Sequence, residues 1–498
     1  MCIRDSVYTV TLRADARWSD GVPVTAQHYV DSVIRALDPA APAGYAYLLY
    51  IIQGAQEFNT GVTIDPATVG VAAIGVHTLR FTLHTPAAYF PSMLAASYMY
   101  PVRVDALNTL PFIGNGPYRL QDWEAERWFI LDKNPYYHSI AQVITSRILM
   151  PIIPDEEQVA AYEAGLLDVS AAPDDALGYI MNDPVLSNEL RNIAWPGLYY
   201  LGLNSVLTPT NDLNVRMALA SAIDRIALMN SLNTPWREAA TSVIPPGIPG
   251  YQNGAVGYPY NAAQAQAYLA AAGFPGGAGF PGIELWAYPG TEAMLEAIAD
   301  DWRTTLNISV TLVYIDRGIY YNELRACLDT PGECSYNVYR AGWWLDYADA
   351  NNVLNDLFHP DGGNQYTYWD SVDYRQLMEL QLADTNPAVR IGYLQEADRV
   401  LVEDDAVIVP VYFLDRPFLI KPNLTYEYPS IGGPRLMVWQ TAGTAAPCYV
   451  RVSSMPGITY SDVQTAVDAA KDDDTVKVAG TCVGVHARAK RDLEITGT

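Results

Sequence analysis

The segment Val338-Tyr-Arg-Ala-Gly-Trp-Trp-Leu-Asp-Tyr347 is the most informative stretch of this chain of 498 residues. Its alternation of residue types predicts a β-strand, because successive side chains of a strand point to opposite faces. One face would carry three apolar side chains that suit a protein core: Ala341, Trp343 and Leu345. The other face would carry a cation, a glycine, an aromatic ring and an anion: Arg340, Gly342, Trp344 and Asp346. The strand therefore predicts a structural side and a side that can hold a ligand.

The polar face suits an extended ligand with two charged ends. Asp346 would bind an ammonium group and Arg340 a carboxylate through charge-assisted hydrogen bonds. Gly342 would let a second backbone approach, and the ring of Trp344 would bound the site. Main-chain hydrogen bonds would then supply affinity that does not depend on the side chains of the ligand. The alternative is an internal ion pair between Arg340 and Asp346 in a purely structural strand. The residues alone leave both interpretations open.

Strands and helices interleave along the rest of the chain without a fixed period. Alternating or apolar runs predict strands at 7–12, 80–83, 118–120, 283–288, 310–315 and 407–413. Caps and helical spacing predict helices between Thr25 and Pro39 and at 155–164, 262–272 and 292–306. A further helix, capped by Asn211 or Asp212, would bury one apolar stripe: Val215, Leu219, Ala222 and Ile226. This mixture predicts the α/β class.

Composition indicates a folded protein, because half the residues are hydrophobic and 17% are charged. The length corresponds to about three domain-sized units, at roughly 150 residues each. The formal net charge of −25 disfavours nucleic acid and anionic lipid surfaces as partners, since both are bound through Lys and Arg. The long uncharged stretches are broken by Pro, Gly and Gln, so that we do not expect this chain to be an integral membrane protein.

Motifs of catalysis, metal binding and nucleotide binding are missing from the sequence. None of the six histidines is followed by Glu, and neither G-x-S-x-G nor a Walker lysine occurs. Gly277-Ala-Gly-Phe-Pro-Gly282 has the letters of a dinucleotide fingerprint. A predicted helix precedes it and a predicted strand follows it, which is the reverse of what pyrophosphate binding needs. We therefore expect no enzyme, no metal and no cofactor.

The five cysteines allow two local disulfides but contain no C-x-x-C pair. Cys327 and Cys334 bracket a turn-rich loop, and Cys448 and Cys482 bracket the start of a tail of different composition. Two disulfides would indicate an oxidising compartment, whereas reduced bystander thiols are the open alternative. Cys2 lacks the preceding apolar segment of a lipid-anchor signal.

A set of short motifs, in order and spacing, resembles the solute-binding proteins of bacterial peptide ABC importers, extracellular solute-binding family 5. The resemblance covers about residues 7–440. It is carried by Leu12-Arg13, Trp18-Ser-Asp-Gly21, Val24-Thr-Ala26, Gly114-Asn-Gly-Pro-Tyr118, Lys133-Asn-Pro-x-Tyr137, Gly165 with Asp168-Val169, Asn214-Val-Arg216, Ala222-Ile-Asp-Arg225, Ala271-Ala-Gly-Phe274, Arg340-Ala-Gly-Trp343 and Asp346-Tyr347.

The resemblance implies a type II periplasmic-binding-protein-like fold, with two lobes that enclose the ligand and an extra subdomain. The implied parts are an extra subdomain at 1–111, the first lobe at 112–198 and 411–441, and the second lobe at 199–410. Residues 442–498 would form a linker and a unit that resembles the opening of a β-helix. Because a single coil cannot bury its own apolar face, this unit is expected to be truncated as well.

The resemblance also implies a function, namely the extracytoplasmic capture of oligopeptides by a monomer that delivers them to ABC permease subunits. Asp346 would hold the peptide ammonium, Arg340 its carboxylate, and the strand from Arg340 to Trp344 its backbone. Tyr347 belongs to the same implied site, and Asn364 and Tyr366 would lie at its rim. Family members have a small residue where this chain has Trp344, which would reshape the pocket.

Two departures from the family pattern lead to further expectations. No export signal precedes Val7, and several family strands are missing there, so that the chain is expected to be truncated at its N-terminus. The same fold also serves oligosaccharides, nickel chelates and opines, which are the alternative ligands. A larger fusion with a polysaccharide-active β-helix domain is a further alternative.

Overall fold

The computed structural model describes residues 6–41, 43–107, 111–329, 334–361, 364–384, 386–429, 434–441, 449–452, 455–460, 463–471, 475–479 and 494–497. The chain divides into two compact units. The first consists of Met1–Val7, Leu83–Met99 and Ala194–Asp415, and the second of Tyr8–Thr82, Tyr100–Ile193 and Arg416–Thr498. Mixed strands and helices in both units confirm the predicted α/β class. The predicted boundaries of lobes and subdomain stay a prediction.

The strands follow one another along the chain as β1 Val7–Thr11, β2 Val71–Gly75, β3 Thr78–Thr82, β4 Tyr118–Glu124, β5 Trp128–Lys133, β6 Arg147–Pro151, β7 Val169–Ala171, β8 Leu190–Leu203, β9 Ile283–Ala287, β10 Val310–Tyr314, β11 Val338–Trp344, β12 Ile408–Ile420, β13 Leu424–Thr425, β14 Gln440–Thr441, β15 Tyr449–Val452, β16 Met455–Tyr460, β17 Thr475–Ala479 and β18 Glu494–Gly497.

The α-helices are α1 Ala26–Ala36, α2 Ala55–Asn59, α3 Phe90–Met93, α4 Asp155–Glu163, α5 Leu177–Asn182, α6 Leu186–Glu189, α7 Leu213–Ser221, α8 Arg225–Ser231, α9 Ala262–Ala271, α10 Glu292–Leu306, α11 Tyr320–Asp329, α12 Val372–Ala383, α13 Pro387–Arg399 and α14 Val463–Ala469. Two π-helical turns lie at Asn352–Leu357 and Val400–Asp404. Among the helices of the described residues, none has both the length and the apolar character that crossing a membrane requires.

The first unit is built on the strands β10, β9, β11, β8 and β12, which are neighbours in that order. The strands β9 and β10 are parallel, whereas β11 and β8 are antiparallel. Alternate residues of β9 are buried, as period two requires. They belong to a core that also contains the apolar face of α10, including Leu295, Ile298 and Trp302. This sheet contains β11, the strand that the alternation after Val338 predicts.

The predicted long helix after residue 211 is in fact two helices. Asp212 caps α7 by accepting a hydrogen bond from Asn214 N. The helix ends at Ser221, and Asp224 caps a second helix, α8, by accepting from Ala227 N. The prediction was wrong for Ile226, which lies in the second helix and is 70% exposed. The reason is that a second capping carboxylate, that of Asp224, starts a new helix, so that the spacing of the α7 stripe does not continue to Ile226.

The second unit contains two three-stranded sheets, with orders β1-β3-β2 and β4-β5-β6. Thr25 caps α1, as the sequence predicts. In the tail, β16-β15-β17-β18 form a four-stranded sheet, and α14 shares a small apolar core with it. The β-helix interpretation of the tail stays a prediction.

One of the two disulfides that the sequence allows is present, between Cys327 and Cys334. It joins the end of α11 to the segment that leads into β11. The other proposed pair, Cys448 and Cys482, lies outside the described residues, as does Cys2.

Candidate functional site

The strand β11 has one edge that is paired along its length and one edge that becomes free after its second residue. Its antiparallel ladder with β8 continues to Trp344. Its parallel ladder with β9 ends at Tyr339. The hydroxyl of Tyr320 lies just beyond that point, 2.8 Å from Arg340 O and 2.9 Å from a carbonyl oxygen of β9. This hydroxyl separates the two strands.

The main-chain groups on the free edge belong to Gly342 and Trp344. On the paired side, Leu345 N donates to Pro196 O, which precedes the partners of β11 on β8, whereas the Arg340 carbonyl points away to the hydroxyl just described. Because successive residues of a strand direct their N–H and C=O groups to opposite edges, Gly342 and Trp344 also point away from β8. No strand of the described residues pairs with these groups. A ligand in extended conformation can therefore form hydrogen bonds with them as an added strand.

Arg340 is a buried cation that has no acidic partner in the part of the chain that the structure describes. It is 3% exposed, and its Cζ lies 4.0 Å from the ring centroid of Tyr199 and 4.6 Å from that of Tyr288. It donates a hydrogen bond to the Tyr288 hydroxyl, while its Nε has no hydrogen-bond partner. A buried charge is costly unless it is paired. An anionic group of a ligand would supply the pairing that Arg340 lacks.

The ring of Tyr199 covers Gly342 and lies between Arg340 and Trp344 on this face of the strand. A Cβ atom at Gly342 would lie 2.6 Å from two ring carbons of Tyr199, which is closer than non-bonded carbons approach. Trp344 is 43% exposed and contacts the same ring edge-on, with 6.3 Å between centroids. The missing side chain of Gly342 therefore makes room for Tyr199, a contact that the sequence analysis did not anticipate.

Asp346 lies two residues beyond the end of β11, so that its position depends on the following turn rather than on strand alternation. Asn352 holds it twice: Asn352 Oδ1 accepts from Asp346 N at 3.0 Å, and Asn352 Nδ2 donates to Asp346 Oδ2 at 3.3 Å. Burial raises the pKa of the Asp346 carboxyl, and the hydrogen bond from Asn352 opposes that shift. Within the described residues Asp346 has no cationic partner, and no ion pair joins it to Arg340.

A buried polar network lies behind Asp346, centred on Asp356. The Asp356 carboxylate accepts from Tyr347 Oη at 2.6 Å and from three asparagine amides at 3.2–3.3 Å, those of Asn351, Asn352 and Asn355. Burial raises the pKa of Asp356 to about 6, although several of these hydrogen bonds act to lower it. The hydroxyl of Tyr347 is thus engaged with Asp356, and its ring stacks on Tyr89 at 5.4 Å.

The two predicted rim residues differ in their surroundings. Tyr366 is buried, and its ring packs edge-on against Tyr339 with 5.6 Å between centroids. Asn364 lies half-buried in a turn. The structure therefore groups four of the predicted residues along one strand face and its end, namely Arg340, Gly342, Trp344 and Asp346, while Tyr347 and Tyr366 lie behind that face.

The sequence analysis missed the residues that surround the two charges. Tyr199 and Tyr288 come from other parts of the chain, whereas Asn352 and Asp356 follow Asp346 by six and ten residues. The four-residue spacing of Asn352 and Asp356 within a run rich in Asn and Asp was the one available signal, since such a spacing places two polar groups on one helical face. Among the described residues, no cluster of three or more His, Cys, Asp or Glu side chains is arranged to hold a metal ion.

Comparison with known proteins places this geometry in a family. The family model of the bacterial extracellular solute-binding proteins, family 5 Middle, matches residues 4–365. The chain is 27% identical over 441 residues to the oligopeptide-binding protein OppA of Bacillus subtilis (strain 168), which covers 84% of this chain and 78% of that protein. It is 30% identical over 440 residues to the periplasmic oligopeptide-binding protein OppA of Escherichia coli (strain K12), with the same coverage.

A solved structure agrees with these sequence matches. The unliganded open form of MppA, a periplasmic murein tripeptide-binding protein, superposes with a TM-score of 0.72 at 26% identity. The match covers 84% of this chain and 82% of that chain. The predicted binding-protein fold is therefore confirmed for the greater part of the molecule.

Proposed function

The chain belongs to the bacterial extracellular solute-binding proteins, family 5, and from this premise we propose that it captures oligopeptides outside the cytoplasm for import by an ABC transporter. Its OppA relatives are named for the binding of oligopeptides. The partners on this proposal are the peptide and the permease subunits of the transporter. The protein acts by binding alone, without covalent chemistry.

One observation carries the proposal, namely the free edge of β11 with an unpaired charge at each end. Arg340 lies at the start of the free edge and Asp346 beyond its end, and neither has an ion-pair partner among the described residues. A peptide with free termini supplies the matching charges, an ammonium group for Asp346 and a carboxylate for Arg340, through charge-assisted bonds. Its backbone supplies the donors and acceptors that Gly342 and Trp344 need.

This arrangement explains how one site can take peptides of different sequence. Main-chain hydrogen bonds are common to all peptides, whereas the side chains of an extended strand alternate away from the shared edge. The exposed indole of Trp344 would then contact the ligand side chain above it. The rim position of Asn364 and Tyr366 stays part of this proposal. So does the division into a first lobe at 112–198 and 411–441 and a second lobe at 199–410.

Calorimetry with matched peptides tests the proposal. We expect an unmodified tripeptide to bind, its N-acetylated form to bind about tenfold or more weakly, and its C-amidated form to be weakened as well, because a hydrogen bond to a charged group contributes about 1.5–3 kcal/mol. The substitution Asp346→Asn should remove the penalty of N-acetylation, whereas the exposed control Asp373→Asn should leave it unchanged.

Two different results would contradict the peptide function and the role of Asp346, respectively. If no peptide binds, and mass spectrometry of gently denatured protein instead releases a sugar or a metal chelate, the chain serves another solute. If peptides bind but acetylation has no effect, the role of Asp346 is wrong while the peptide function stands.

A further inference from the structure

Asn352 connects two carboxylates that would otherwise be independent. Its side-chain nitrogen donates to Asp346 Oδ2 at 3.3 Å and to Asp356 Oδ2 at 3.2 Å. Its side-chain oxygen accepts from Asp346 N and, at 2.9 Å, from Trp343 Nε1. Asp346 lies in a turn after β11. The Asn352 amide attaches this turn both to the strand β11, through Trp343, and to the buried Asp356.

Asp356 is an acidic group to which the described residues offer no cation as a direct partner. Its direct partners are neutral, namely the Tyr347 hydroxyl and the side-chain amides of Asn351, Asn352 and Asn355. The other titratable or charged groups that face this network are Asp346, Asp349, Arg390, Tyr89 and Tyr98. Arg390, the nearest cation of the set, is held by Asp349 in a bidentate pair at 2.7 and 2.8 Å.

We infer that Asn352 and Asp356 are positioning residues for ammonium capture, and that the affinity for a free amino terminus follows the charge on Asp356. This inference rests on the proposed function, because it assigns the residues that hold and tune Asp346 for the same ligand. Asn352 keeps one carboxylate oxygen of Asp346 occupied and leaves the other for the ligand. Ionised Asp356 adds a second negative charge behind the first.

The sign of the effect follows from linkage. A bound ammonium group favours the ionised form of Asp356, so that binding releases a proton from it and affinity rises as Asp356 ionises. Because burial raises the pKa of Asp356 to about 6, the rise falls between about pH 5 and pH 7.5. At a separation on the order of 12 Å and an effective dielectric constant of about 20, one charge changes affinity roughly tenfold.

The test is the pH profile of peptide affinity, measured by calorimetry from pH 5 to pH 7.5. For the unmodified tripeptide, we expect an affinity that rises about tenfold across this range, with proton release at pH 6 seen as a dependence of the heat on buffer ionisation. The N-acetylated tripeptide lacks the ammonium group and should show a flat profile. This comparison uses the unaltered protein, so that it does not depend on a variant that folds.

Variants separate Asp356 from other titrating groups. The substitution Asp356→Asn should flatten the profile of the unmodified peptide while binding persists. The control His359→Gln removes a nearby titratable group whose pKa is lowered by burial, and it should keep the profile. A profile that stays steep in Asp356→Asn, or that is equally steep for the acetylated peptide, would overturn the inference. Absence of peptide binding at every pH would instead refute the proposed function.

Discussion

The contact between Gly342 and Tyr199 leads to a quantitative prediction for the substitution Gly342→Ala. An added Cβ would lie 2.6 Å from two carbons of the Tyr199 ring, so that the ring must move or the strand must bend. Overpacking of this kind costs about 1–3 kcal/mol of unfolding free energy. The displaced ring would also leave the Arg340 guanidinium, on which it lies at 4.0 Å, and peptide affinity should fall with stability.

Equilibrium denaturation in urea measures this cost, and a second substitution identifies its cause. In a Tyr199→Leu background the smaller side chain leaves space for the new methyl group, so that Gly342→Ala should cost less than half as much there. Gly392 provides the matched control, because it lies exposed in α13 with nothing within 4 Å of an added Cβ. Gly392→Ala should stabilise the protein by about 0.5–1 kcal/mol, as replacement of a helical glycine does.

A cost below about 0.5 kcal/mol for Gly342→Ala would refute the reasoning, since such a value is typical of a surface substitution. An equal cost in both backgrounds would show that Tyr199 is not the obstacle. In either case the ring would not be what occupies the space above the glycine.

Three further predictions concern buried charges and the exposed indole. Asp349→Asn should cost about 3–5 kcal/mol in denaturation, because it leaves Arg390 charged, buried and unpaired. Asp398→Asn should flatten the pH dependence of stability. Burial raises the pKa of Asp398 to about 7, so that the stabilising contribution of its protonated form is full below about pH 4 and is lost as pH rises through 7. Thermal unfolding at pH 5 and pH 8 measures the difference. Trp344→Ala should change unfolding free energy by less than about 1 kcal/mol but alter the ranking of peptides in calorimetry.

Each of these expectations has a result that would contradict it. If Asp349→Asn proves as stable as the exposed control Asp373→Asn, Arg390 must find another partner. An unchanged pH slope in Asp398→Asn would mean that other groups dominate the slope. The asparagine oxygen can still accept from Val243 N, whereas the present bond that Ser242 Oγ donates to Asp398 Oδ2 would be replaced by one that the asparagine amide donates to Ser242 Oγ. An unaltered peptide ranking in Trp344→Ala would remove the indole from the site.

The strand and the helix ends were predictable because their signals are local. The alternation of Val338–Trp344 predicted β11, and Thr25 and Asp212 were identified as caps from residue type and position. The end of α7 was missed because Asp224 competes as a second cap, and apolar spacing alone cannot decide between one helix and two.

The charged ends of the site were also predictable, whereas their surroundings were not. Arg340 and Asp346 are visible as opposite charges in one short segment, but Tyr199 reaches Arg340 only because β8 pairs with β11 across about 140 residues of sequence. The clamp by Asn352 depends on a turn and a π-helical segment, for which strand periodicity gives no information. Long-range pairing and irregular backbone are therefore what the sequence could not provide.

Amide hydrogen exchange at single-residue resolution tests the central claim most directly, namely that a peptide adds as a strand to the free edge of β11. On addition of a saturating unmodified tripeptide, the Gly342 and Trp344 amides should become protected, because they gain a hydrogen-bonded partner. The Ala341 and Trp343 amides, which face β8, should change little. Unchanged exchange at Gly342 and Trp344 in the saturated complex would contradict the account.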